Sequence, residues 1–285
     1  MIRRDVESPT AFAIKVKNEC NIYDLQGLCQ NRANDYTIAV EAIDMGNDPV
    51  EAYVEVFTND ELYAKAKLAE RLHAVFVLLL HKNIGQKDEI FLKFFKPDDN
   101  SLVANCIESK KLSSEYFVNW WKARQCRTQQ KEYRDEMQRK IAASYFDQLL
   151  EVHGSSWSGN IDGFLMDKNM EGQEDVSAII ECRFSSNEDI ERYDPNRFFK
   201  SGGGDYMTWS GLLELSKRLD IPLYLFTYSR RIGCREKVGL AVVEDVSRDK
   251  GLVYKNGISP CNNIKISTDE VREWLEQQKD DGESK

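Results

Sequence analysis

Two stretches decide the reading of this chain: Ile161-Asp162-Gly163-Phe164-Leu165-Met166 and, after the polar run 167–175, Val176-Ser177-Ala178-Ile179-Ile180-Glu181-Cys182-Arg183-Phe184. Two apolar segments joined by a polar turn predict a β-hairpin whose second strand is the more buried. Charges inside apolar strands are costly unless something holds them, so Asp162, Glu181 and Arg183 need a reason. Asp162 falls near the start of one strand and Glu181 near the end of the other, which lets the two carboxylates lie side by side. Side chains alternate along a strand, so Glu181 and Arg183 share a face while Cys182 points the other way. Two converging carboxylates beside a cation form a hard-oxygen site suited to Mg²⁺. Plainer roles remain open: Asp162-Gly163 as a turn, and Glu181 with Arg183 as an ion pair that holds no metal.

Downstream, residues 185–205 read as a long loop with Pro195 and the triplet Gly202-Gly203-Gly204. An amphipathic helix follows over Tyr206 to Leu219, and then Leu223-Tyr224-Leu225-Phe226-Thr227-Tyr228, a continuous apolar strand of the kind buried on both faces. Strands over Val238 to Val243 and Gly251 to Tyr254 and a helix from Thr268 to Gln277 complete this part. Upstream, a long helix is expected from about Ser113 or Tyr116 to Leu150, with Met137, Ile141, Tyr145 and Leu149 along one stripe. Another is expected from Asn59-Asp60-Glu61 through the all-apolar Ala74 to Leu80, fading at Asn83-Ile84-Gly85. No internal repeat is evident. The expected organisation is a mostly helical region over 1–115 with no motif convertible into chemistry, an α/β (α+β) domain over 116–277 and a flexible tail over 278–285.

The 285 residues are 41% hydrophobic, which excludes a disordered chain, and the net charge of −9 excludes a uniformly basic nucleic-acid binder. A polyanion would have to meet a local basic patch. Lys122, Arg124 and Arg127 beside Trp120 and Trp121 are one candidate; Arg230 and Arg231, with Arg235 and Lys237, are another. Seven dispersed cysteines without a Cys-x-x-Cys pair, and only three histidines, argue against a structural zinc site and for reduced thiols in an intracellular compartment. The opening Met1-Ile2-Arg3-Arg4-Asp5 does not read as a secretory leader, and no apolar run is long enough for a transmembrane helix. The glycine triplet lacks a following Gly-Lys-Ser/Thr, and Gly-x-Ser-x-Gly is absent, so neither a phosphate loop nor a nucleophile elbow is indicated.

The order of helix, Asp-bearing strand, hairpin, Glu-x-basic tripeptide, helix and buried strand over Lys131 to Tyr228 resembles the PD-(D/E)xK nuclease superfamily. The resemblance implies a restriction-endonuclease-like mixed sheet flanked by helices. It implies that Asp162 and Glu181 bind a metal ion, joined by the main-chain carbonyl of Cys182, and that Arg183 stands where the family has a Lys near the attacking water and scissile phosphate. The implied activity is Mg²⁺-dependent endonucleolytic hydrolysis, with Mn²⁺ substituting, on DNA rather than RNA, in a restriction-like defence or repair setting. A homodimer suits cutting of both strands, and the compartment is cytoplasmic if the chain is bacterial or phage-encoded. Glu132, Glu136, Glu151 and His153 are further candidates for the site. Two positions depart from the pattern. Ile161 replaces a frequent Pro, and Arg183 replaces the Lys, and a guanidinium does not give up its proton near neutrality. The alternative is therefore a catalytically inactive nuclease-fold protein that binds nucleic acid or a protein partner.

Overall fold

The computed structural model describes residues 2–3, 10–84, 87–124, 145–155, 157, 159–169, 171–199 and 204–283. In chain order the first elements are β1 (Ile2–Arg3), α1 (Ala11–Glu19), β2 (Ile22–Gln30), β3 (Tyr36–Asp44), α2 (Asn59–Arg71), β4 (Val75–Ile84), β5 (Lys87–Asp98), β6 (Val103–Ser113), α3 (Ser114–Lys122) and α4 (Tyr145–Val152). Then come β7 (Gly159–Lys168), β8 (Glu174–Ser185), α5 (Gly204–Leu219), β9 (Leu223–Ser229), β10 (Val238–Ser247), β11 (Gly251–Tyr254), β12 (Ile264–Lys265) and α6 (Thr268–Glu283). Contacts divide the chain into two compact units. The first comprises Met1–Val6 and Asp24–Ile161, and the second comprises Glu7–Tyr23 and Asp162–Lys285.

The chain is α/β with mixed sheets, as expected, but the first 115 residues are mostly strand rather than mostly helix. The clearest correction is the segment 59–84. Thr58 caps the helix by accepting from the Glu61 N–H, and the helix stops at Arg71, because His73 takes a left-handed φ of 56°. The apolar run that follows is strand β4, parallel to β3 on one side and antiparallel to β5 on the other. Phe76 to Leu80 are fully buried there. A run that is apolar on every side satisfies a central strand as well as a buried helix. The expected boundary at residue 115 is not where the units divide: residues up to Ile161 stay with the first unit, and α1 packs into the second. The expected tail is also shorter, since α6 stays helical through Glu283. Of the long helix expected over 113–150, α3 and α4 are its two ends, and residues 125–144 lie outside the described residues.

Within the first unit the strand order is β2-β3-β4-β5-β6, and within the second it is β7-β8-β9-β10-β11. The pairings run in the same sequence in both: antiparallel, parallel, antiparallel, antiparallel. In each, the parallel step contains the crossover helix, α2 in the first unit and α5 in the second. One face of the first sheet packs Val40, Ala42, Val77 and Leu79 against Phe117 and Trp121 of α3 and Phe146 of α4. One face of the second packs Ile180, Cys182, Tyr224 and Phe226 against Val16 of α1 and Trp274 of α6.

On the opposite face of the first sheet, α2 delivers a fully buried ammonium. Lys65 Nζ lies 2.7 Å from Glu41 Oε1, 2.8 Å from Glu61 Oε1 and 3.4 Å from Asp24 Oδ1. Glu41 is equally buried, and its Oε1 also accepts the Gln26 N–H at 3.0 Å. Removing one partner of such a pair strands the other charge in a low dielectric, at a cost of about 3–5 kcal/mol. Lys65→Met is therefore expected to lose stability on that scale in urea unfolding, and Lys65→Met with Glu41→Gln to regain most of it. A single variant within error of wild type would show that the cluster contributes nothing net.

Candidate metal site

Gly163 pairs with Ile180 across β7 and β8, so the next residues outward, Asp162 and Glu181, face each other. Glu181 interacts directly with the Asp162 carboxyl. Asp162 Oδ2 also accepts the Cys182 N–H at 3.1 Å. Both residues are buried, at 7% and 6% exposure. Gly163 is an extended strand residue, not a turn residue. A Cβ there would stand 3.0 Å from Ile22 Cγ2 and 3.1 Å from Ile180 Cβ, so the glycine serves close packing directly beside the carboxylates.

Two cations flank the pair. Arg183 Nη2 lies 2.7 Å from Glu181 Oε1, and its guanidinium sits 5.3 Å from the ring centre of Trp209 on α5. The same-face ion pair expected from strand alternation is thus present. The second cation, Lys17, was not visible in the sequence pattern. It projects from α1, and its Nζ donates to the Asp162 main-chain carbonyl at 2.6 Å, a contact across 145 positions. Thr10 caps α1, and Phe12, Ala13 and Val16 bury one face of it. The helix is thereby fixed against the second sheet with Lys17 at the Asp162 end.

Burial pushes the Asp162 carboxyl above the ordinary carboxylate range. The Cys182 N–H, Lys17, Arg183 and the bond with Glu181 pull it back only in part. Two facing carboxylates repel each other, and each has a cation beside it: Lys17 at Asp162 and Arg183 at Glu181. The donor set is two hard carboxylates, the kind of ligand that Mg²⁺ or Mn²⁺ takes. The Cys182 thiol lies in the opposite core, which leaves only its main-chain carbonyl as a possible third donor.

Beyond the end of β8 opens a cavity of about 490 Å³, lined in part by Arg183, Asn187, Tyr193, Phe198, Asp205 and Trp209. That volume is in the range of small-ligand pockets, and it combines rings with hydrogen-bonding groups.

The expected basic surfaces are only partly free. In the first unit Lys122 is exposed, but Arg124 is folded onto its own helix, 4.3 Å from the Trp120 ring centre and bonded to the Trp120 carbonyl. In the second unit Arg231 pairs with Asp189 at 3.0 Å, and Arg230 lies 5.6 Å from the Phe184 ring centre. Arg127, Glu132 and Glu136 lie outside the described residues, and Glu151 and His153 are exposed at the end of α4. Asp189, Glu191 and Cys234 also bring ligand atoms within 4.8 Å of one another. Arg231 and Lys237 already neutralise these two carboxylates.

A carboxyl whose folded pKa is raised binds more protons folded than unfolded, so stability falls as pH rises from the ordinary carboxylate range. In metal-free buffer the wild type is expected to lose stability from about pH 4 upward. Asp162→Asn should lack that part of the loss and melt higher at neutral pH. Below about pH 4 the two should converge. Parallel melting curves across the range would show that Asp162 carries no such penalty.

Family models, curated proteins and solved structures give no match to this chain; what the site can do follows from its own donors, charges and cavity.

Proposed function

We propose that the second unit hydrolyses phosphodiester bonds in a metal-dependent reaction, as an endonuclease of the PD-(D/E)xK type. The observation that carries this is the buried opposition of Asp162 and Glu181 with a cation on either side. Asp162, Glu181 and the Cys182 carbonyl would hold Mg²⁺ or Mn²⁺. The ion, when bound, supplies Lewis-acid polarisation of the phosphoryl group and a more acidic water. Arg183 can turn its guanidinium toward phosphate oxygens and hold two of them in parallel. Arg183 also lines the cavity beyond β8, and that volume would take the adjoining nucleotide. Lys17 supplies the compact ammonium that the Glu-x-Arg tripeptide lacks. DNA is the substrate the resemblance favours, and a homodimer would allow both strands to be cut. Among the described residues no cysteine is paired, in keeping with a reducing intracellular compartment, and no helix is long and apolar enough to cross a membrane.

One observation favours the inactive alternative: Arg183 is already engaged by Glu181 and Trp209, as in a structural ion pair. Incubation with plasmid, linear duplex and single-stranded RNA in Mg²⁺, Mn²⁺ or EDTA separates the two. Cleavage is expected with either metal on DNA and to stop in EDTA. Asp162→Asn and Glu181→Gln should each abolish it while remaining folded. Cleavage that survives both would move the site elsewhere, and no cleavage with intact nucleic-acid binding would select the inactive reading.

The two cations are tested separately. Arg183→Ala and Lys17→Met are each expected to lower the rate by roughly 10²–10³, the scale of losing one donor to transition-state charge. Arg183→Lys should retain measurable activity. Rates unchanged in all three variants would reduce both residues to structural partners.

A further inference from the structure

We infer that the first unit is a second copy of the scaffold that carries the Asp162–Glu181 pair, with the Lys65 ammonium fixed where the second unit would receive a divalent cation. This rests on the proposed reading of the second unit. The strand order and pairing sense agree over five strands and the crossover helix. The registers agree residue by residue. Gly27 pairs with Val40 as Gly163 pairs with Ile180, so Gln26 faces Glu41 as Asp162 faces Glu181. On the parallel side Glu41 pairs with Leu78 as Glu181 pairs with Leu225. One detail of bonding is repeated too. The Ala42 N–H donates to Gln26 Oε1 at 2.7 Å, and the Cys182 N–H donates to Asp162 Oδ2 at 3.1 Å.

What differs is the charge. The first unit has an amide, Gln26, in place of the aspartate, and Ile43 at the position of Arg183. Its remaining strand carboxylate, Glu41, is met instead by Lys65 from the crossover helix. Glu61 and Asp24 complete three carboxylate contacts around the three ammonium protons. Lys65 and Glu41 are fully buried, so a phosphodiester cannot reach them as it could reach Arg183, whose side chain is 30% exposed. Among the described residues, then, the catalytic centre of this reading lies in the second unit, and the first unit keeps the scaffold with its cation covalently supplied.

The test counts Mn²⁺ ions on the full chain by the loss of the free-ion EPR signal, alongside thermal melting. Wild type is expected to bind one equivalent, Lys65→Ser two, Glu181→Gln none, and Lys65→Ser with Glu181→Gln one. The double variant should also melt low in EDTA and recover when Mn²⁺ is added. If wild type binds one ion and Lys65→Ser still binds one, the inference is overturned while the reading of the second unit stands. If wild type binds none and Lys65→Ser binds one, Lys65 does replace an ion and the second-unit reading fails. No ion on any variant overturns both. Should Lys65→Ser be insoluble when expressed, refolding in Mn²⁺ against EDTA decides: recovery in Mn²⁺ alone supports the substitution, and equal failure overturns it.

Discussion

Two carboxylates forced to face each other across a buried strand pair impose a demand that much of the second unit answers. Register is not adjustable here, because a slip of one residue would turn Glu181 and Arg183 toward the opposite core and Cys182 out of it. Held in place, Asp162 and Glu181 can share a proton or share a cation, and the surrounding groups keep both options open. The Cys182 N–H fixes one carboxyl, Lys17 arrives at the carbonyl of the same residue, and Arg183 offsets the other carboxyl. The lack of a side chain at Gly163 lets Ile22 and Ile180 pack directly beside the carboxyl pair.

The first unit meets the same geometric demand with a different solution. An ammonium on a tethered side chain is always present, so Glu41 keeps a cationic partner whatever the medium contains. A site that relies on a free ion can instead be filled, emptied or denied. Permanent compensation suits a structural element, and exchangeable compensation suits one that must admit a substrate. The contrast between Gln26 and Asp162 carries much of this difference, since an amide accepts the same backbone bond without adding a charge.

The hairpin, the apolar β9, the amphipathic α5 and the facing of Asp162 with Glu181 were all legible in the sequence, because each follows from local periodicity and strand alternation. The N-terminal strands were not. Ala74 to Leu80 is apolar on all sides and so has no period to separate strand from helix, and the left-handed turn at His73 that divides α2 from β4 has no residue-type signature. Lys17 was hidden for another reason: its partner is 145 positions away, and nothing local to α1 marks it. The correspondence of the two units was hidden as well. It lies in register and bonding, while the residues that would have advertised it, Asp162 and Arg183, are Gln26 and Ile43 in the first unit.

The membership of α1 in the second unit has a consequence for how the chain is made. This helix is translated before every other helix described, yet the apolar face it buries is completed by residues as late as Val271, Trp274 and Leu275. The main segment of the first unit, Asp24–Ile161, is translated in between. At about 5–20 residues per second, the wait is on the order of ten seconds to a minute. Throughout that time the core that Phe12 and Val16 enter is incomplete, while the first unit can fold on its own nearest-neighbour strands. The second unit can close only after α6 has been synthesised. A chain that stalls before α6 would therefore hold a folded first unit beside an open second sheet.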